Sequence, residues 1–181
     1  MKKISEKIIV DNGYRQCIER VFEFWNGKSE SFLVCGKSGH PGWVGILGLT
    51  TNNTLILVDE YRVWPEKIVR SCVVWDLETD GNLEVNARRE FIEETGYTFD
   101  RLIPIIQLIN NPYFIGKTSY FLAIWCEKKQ EQQLDPSEEI HSIELSSSEI
   151  ESQITLGGID CPYLISVYFS AKIKTHNFTT F

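Results

Sequence analysis

The stretch RREFIEETGY, residues 88–97, sets three glutamates and two arginines into ten positions, with Gly96 near its end. An α-helix advances about 100° per residue, so Glu90, Glu93 and Glu94 fall within roughly 100° of arc on one face. Like charges at these spacings destabilise a helix by a few tenths of a kcal/mol per pair. Two readings follow. The segment is a solvated face, with Arg89 four residues before Glu93 and Glu84 four before Arg88 as compensating pairs. Or it holds a divalent cation, since hard cations such as Mg²⁺ take carboxylate oxygens one turn apart.

The flanks place this segment on a helix. Asn82 is a good N-cap type, Leu83, Ala87 and Phe91 recur at helical spacing, and Gly96 suits the C-cap. Upstream the chain reads as strands: KIIV, YRQCIERVFEFW with an Asn26-Gly27 turn, SFLVC, WVGILGLT and TLILVDEYR around a TNN loop, then SCVVWDL. Downstream, LIPIIQLI and TSYFLAIWC are apolar runs of strand length, separated by a loop at NNPYFIGK. EKKQEQQLDPSEE reads as exposed, and IHSIEL as a further strand. Ser146 with Glu149 forms a capping-box pattern that opens a helix through Leu156. Asp160 is the expected N-cap of a last helix carrying Pro162 in its first turn. The pattern is α+β, a mixed sheet flanked by helices.

Composition narrows the function. The chain has 181 residues, 43% of them hydrophobic, which suits one domain with a sizeable core. A net charge of −7 argues against a nucleic-acid binder, which needs a basic surface. Cys17, Cys35, Cys72, Cys126 and Cys161 are widely spaced and form no C-x-x-C, so they read as reduced core residues of a cytoplasmic protein. No apolar run is long enough to span a membrane, and MKKISEKIIV lacks the apolar stretch of a signal peptide. GKS at Gly36 does not complete a phosphate loop, because Ser31 stands where the first glycine belongs. His40, His141 and His176 have no metal-ligand spacing.

Arg89 to Tyr97 resembles the second half of a Nudix box at every position: Arg-Glu, an apolar residue, any residue, Glu-Glu, any residue, Gly and an apolar residue. The first half departs from that pattern, for its Glu falls on Gly81 and its Gly on Trp75. The stretch VWDLETDGNLEVNARRE aligns better with a shortened loop after Gly81. The likeness extends along most of the chain. TLILVDEYR is similar to a Gln-Tyr-Arg strand of ADP-ribose pyrophosphatase-like members, with Glu60 in place of the Gln. NNPYFIGKTSYFLA and LDPSEEIHSIELSSSEIESQITLGGI resemble their later elements.

This resemblance implies a Nudix fold, an α/β/α sandwich with N-terminal antiparallel strands. Residues 1–40 would be the N-terminal strands that dimerise, and residues 41–181 the Nudix domain, within one structural unit. It implies hydrolysis of the pyrophosphate in a nucleoside diphosphate linked to another group, ADP-ribose or a nucleotide sugar, with Mg²⁺ or Mn²⁺. The metal would be held by Glu90, Glu93 and Glu94, with a carbonyl in the Gly81 region assisting. Arg89 would orient a carboxylate, or else be a surface ion pair with Glu93. Glu138 and Glu139 occupy the region of the catalytic base, or else belong to a solvated loop. Arg62 would bind a phosphate or form a structural ion pair, and Trp64 would stack on a base or simply pack. The partners implied are a small nucleotide substrate and a second copy of the chain, with neither nucleic acid nor membrane. The alternative is a Nudix-fold module that binds a nucleotide without cleaving it, favoured by the incomplete first half of the box.

Overall fold

The computed structural model describes residues 1–179 except 14, 37–38, 64, 78–81 and 137, together with the backbone but not the side chain of residue 110. The chain divides into two compact units, Met1–Gly42 with Ile109–Thr118, and Trp43–Leu108 with Ser119–Phe181.

The first unit is built on three strands, β1 (Lys2–Asp11), β2 (Gln16–Glu23) and β3 (Ser29–Gly36), paired antiparallel in sequence order. The Asn-Gly signal is met by a tight turn in which Phe24 N–H donates to the Lys28 carbonyl at 2.8 Å and Gly27 adopts φ 75°. Strand β1 is longer than KIIV implied, and all ten of its residues are exposed. The tip of a second hairpin belongs to the same unit. There β9 (Arg101–Asn111) turns into β10 (Phe114–Lys128), and Phe114 pairs in parallel with Cys35. Pairing carries on through most of NNPYFIGK, leaving only Pro112 and Tyr113 between the strands.

The second unit holds the helices. Strand β10 lies beside β4 (Trp43–Thr50), β4 beside β5 (Thr54–Arg62), and β5 beside β11 (Ile140–Ser146). SCVVWDL is broken at buried Cys72. Before it, β6 (Lys67–Ser71) pairs with β5, and after it β7 (Val73–Asp76) pairs with β4. A short β8 (Tyr97–Thr98) pairs with β10.

Alternation along the central strands sorts side chains onto two faces. Val44, Ile46, Ile56 and Val58 pack with Ala87 and Phe91 of helix α1 (Leu83–Thr95). Leu47, Leu49, Leu55 and Leu57 pack with Ile150 of α2 (Ser147–Leu156) and with Leu164, Val167 and Tyr168 of α3 (Pro162–Lys174). The second unit is therefore an α/β/α sandwich around a mixed sheet, the expected fold class.

Helix ends follow their caps, with one correction. Asn82 Oδ1 accepts from Glu84 N–H and Val85 N–H, and Gly96 takes the left-handed conformation at φ 79°. Ser146 and Glu149 form a reciprocal capping box. Asp160 is not the N-cap of α3. Cys161 holds that position without a side-chain bond, and Asp160 instead forms an ion pair with Lys67. The cysteines also need correction as a group. All five are free, but Cys35 is exposed and Cys17 and Cys161 are only half-buried. Among the described residues no helix is long and apolar enough to cross a membrane.

Candidate active site

Helix α1 is fixed to the sheet by one face, and its acidic residues lie beside that face. Phe91 and Ala87 are fully buried, and Phe91 stacks edge-on against Phe99 at 5.7 Å between ring centroids. Gly48 of β4 makes the approach possible, since a Cβ there would lie 2.7 Å from the Phe91 ring. With Phe91 facing inward, Glu90, Glu93 and Glu94 are carried to one side of the helix.

These three carboxylates differ in environment. Arg89 donates through Nη2 to Glu90 at 2.7 Å and through Nη1 to Glu93 at 2.9 Å. Arg89 is exposed and Glu93 partly so, which keeps this part of the contact's contribution to stability small. Glu94 is only 7% exposed. Burial, followed by the like charges of Glu138, Glu60 and Glu90, pushes its carboxyl up to about 8, and Arg62 opposes this. Glu90 is also raised, first by burial, with Arg89 pulling it down and Glu93 and Glu138 adding to the rise.

Two strand residues complete the cluster. Glu60 and Arg62 continue the face of β5 that carries Ile56 and Val58 toward α1, and they form an ion pair at 2.7 Å. The Glu60 carboxyl is raised by burial and by Glu138, and lowered by Arg62. Ile140 pairs with Glu60 in the β5–β11 ladder, and the ladder thereby brings the segment before β11, with Glu138, to the same end.

The 129–138 segment is anchored to the end of α1. Gln133 N–H donates to the Glu93 carbonyl at 2.8 Å, and Lys129 N–H to that of Gly96 at 2.8 Å. The Gln132 side-chain amide donates to the carbonyls of both Glu94 and Ile140. Orphan carbonyls at the helix C-terminus are satisfied in this way. Glu138 accepts from Asp135 N–H at 2.9 Å.

The structure thus gathers Glu90, Glu94, Glu138 and Arg62, with Glu93 held beside Glu90 through Arg89. Exposed Glu139 lies next to Glu138 in the chain, but it is not among the charges acting on Glu94. Gly81 and Trp64 lie outside the described residues. Sequence reasoning missed Glu60 and Gln132 as members of the site. Glu60 had a signal, its period-two spacing from Arg62. Gln132, within a polar run, had none.

The donor set fits a hard divalent cation. It is all carboxylate oxygen, and the buried Glu94 sits among like charges that a cation would neutralise. As they stand, no three acidic, His or Cys side chains among the described residues are grouped closely enough to hold an ion. Arg89 engages both Glu90 and Glu93.

No family model matches the chain. Among curated proteins it is 31% identical over 126 residues to an ADP-ribose pyrophosphatase of Bacillus subtilis (strain 168), covering 68% of this chain and 66% of that protein. It is 31% identical over 112 residues to a methanol dehydrogenase activator of Bacillus methanolicus, covering 61% of this chain and 60% of that protein. The matched part of the chain therefore spans less than two thirds of each relative's length, 66% of the first and 60% of the second. A solved structure described as an ADP compounds hydrolase superposes with a TM-score of 0.84 at 16% identity, over 100% of this chain and 98% of that one. At that identity the superposition speaks for the fold alone. With its Arg89–Tyr97 segment on a capped helix against a mixed sheet, and with these relatives, the chain belongs to the Nudix hydrolase superfamily, among its ADP-ribose pyrophosphatase-like members.

Proposed function

We propose that this chain is a metal-dependent pyrophosphohydrolase that cleaves a nucleoside diphosphate linked to another group, ADP-ribose or a nucleotide sugar. The observation that carries this reading is the convergence of Glu60, Glu90 and Glu138 on the buried Glu94. Four glutamates whose charges bear on one another, one of them buried, suit a site that works with cations. When bound, Mg²⁺ or Mn²⁺ supplies charge neutralisation for the phosphates and a lowered pKa for its water.

The chain's own residues divide the remaining work. Glu90, Glu93 and Glu94 hold the metal, with a carbonyl near Gly81 assisting. Arg89 orients Glu90 by a charge-assisted hydrogen bond. Glu138, whose charge already bears on Glu94, takes the proton from the attacking water, and Glu139 is the neighbouring candidate. Arg62 exchanges its Glu60 partner for a substrate phosphate, and Trp64 stacks on the base. The N-terminal strands, residues 1–40, form the interface of a homodimer. The free cysteines support a cytoplasmic place of action.

A second reading keeps the fold and drops the chemistry, making the chain a nucleotide-binding sensor. Gly81 at the position of the first box glutamate favours it. An assay for release of the nucleoside monophosphate and its phosphorylated partner, over a panel of nucleoside diphosphate compounds with Mg²⁺ or Mn²⁺, separates the two. Release from ADP-ribose or a nucleotide sugar is the expected result. Nucleotide binding without release from any member would replace the hydrolase reading with the sensor.

A further inference from the structure

The first unit carries a pair of thiols that hydrolysis does not use. In the β2–β3 ladder Cys17 stands directly opposite Cys35. Directly opposed residues of antiparallel strands project from the same face of the sheet. Their separation depends on whether the pair exchanges backbone hydrogen bonds, and the Cys35 amide decides that. Its N–H donates to the Tyr113 carbonyl at 2.8 Å, and Cys35 is the residue that pairs in parallel with Phe114.

In a strand the N–H and C=O of one residue point to the same side. Cys35 therefore turns both groups away from β2, and Cys17–Cys35 is a non-hydrogen-bonded pair. Such pairs are the closer kind, with Cα atoms about 4.5 Å apart. A disulfide spans Cα separations of about 4.4–6.8 Å, and the usual spacing of such a pair falls at the short end of that range. Both thiols are free, Cys35 exposed and Cys17 half-buried.

We propose that Cys17 and Cys35 are a dithiol modification site that closes into a cross-strand disulfide on reaction with a low-molecular-weight disulfide. Cys35, the accessible thiol, loses its proton to solvent and attacks one sulfur of the reagent. One reagent thiolate leaves, and Cys35 carries the other half as a mixed disulfide. Cys17, deprotonated in turn, attacks the Cys35 sulfur and expels the second thiolate. The two cysteines lose two electrons in total, and one reagent disulfide becomes two thiols. Cys72 and Cys126 are buried and out of reach of the reagent. The inference is independent of the hydrolase reading.

The test is to incubate the folded full-length protein with oxidised glutathione, block remaining thiols, digest without reductant and map the linked peptides by mass spectrometry. The expected product joins the Cys17 and Cys35 peptides within one chain and carries no glutathione. Cys17→Ser should stop the reaction with glutathione retained on Cys35, and Cys35→Ser should yield no intrachain product. Wild-type protein that keeps glutathione on Cys35 would overturn the proposal. So would disulfides formed only between two copies, or only between other cysteines. The wild-type map alone decides the matter should a serine variant misfold.

Discussion

Gly48 on β4 stands against the ring of Phe91 on α1, so close that a Cβ at residue 48 would lie 2.7 Å from it. This contact sets how near the acidic helix comes to the sheet, and hence where Glu90 and Glu94 stand. Gly48→Ala should push the helix outward or force Phe91 off its rotamer. Overpacking of this kind costs about 1–3 kcal/mol. Chemical denaturation at equilibrium measures it, and stability equal to wild type would mean that α1 adjusts without strain.

A pH dependence follows from Glu94. Its folded-state carboxyl is raised from the ordinary 4.5 to about 8. Between those values the native state holds a proton that the unfolded state has released. Without metal, stability should therefore fall as pH rises from about 4.5 to 8, by a few kcal/mol at most. Glu60 and Glu90 are raised as well and act in the same direction. Glu94→Gln should match wild type near the acid end and exceed it at the alkaline end. Melting temperatures in a chelating buffer would show this, and parallel pH profiles for the two proteins would refute it.

Divalent metal should reverse that loss. A ligand that binds only the native state stabilises it, by about 2.7 kcal/mol at one hundred times its Kd. Millimolar Mg²⁺ or Mn²⁺ should raise the melting temperature of wild type at pH 8 and leave Glu94→Gln nearly unmoved. Equal responses, or none in either protein, would argue that these carboxylates do not bind the ion.

Turnover should depend on Glu90. Gln keeps its shape and removes its charge, and phosphoryl transfer rests mainly on positioning and charge neutralisation. We expect Glu90→Gln to lower kcat by roughly 100–1000-fold, the scale for losing a principal electrostatic group. Folding should be spared, because one of several crowded carboxylates is gone. Retained activity at the wild-type level would place the chemistry elsewhere.

The N-terminal strands should bring two copies together. Ile4, Ile8, Ile9 and Val10 are each about half exposed along β1, apolar side chains left open to solvent on a strand that otherwise carries Lys, Ser, Glu and Asp. Sedimentation at micromolar concentration should give twice the chain mass of 20.9 kDa. A species at the single-chain mass would count against the dimer.

Local sequence determined much of this protein, and for local reasons. Asn82 and Gly96 bound α1 because caps act on the helix's own terminal amides and carbonyls. The common face of Glu90, Glu93 and Glu94 follows from the helical repeat, and the two sides of the sheet from the alternation along β4 and β5. What lay beyond the sequence was everything set by partners distant along the chain. Asp160 pairs with Lys67, 93 residues away, while Cys161 takes the N-cap position. Glu60 and Glu138 meet at Glu94 because β5 and β11 pair with Ile140 opposite Glu60. Cys17 faces Cys35 because of the β2–β3 register. Caps and periodicity act over one or two turns, whereas burial and strand register arise only when distant segments pack. Only that packing could turn an ordinary glutamate on a helix into a buried carboxyl that holds its proton to about pH 8.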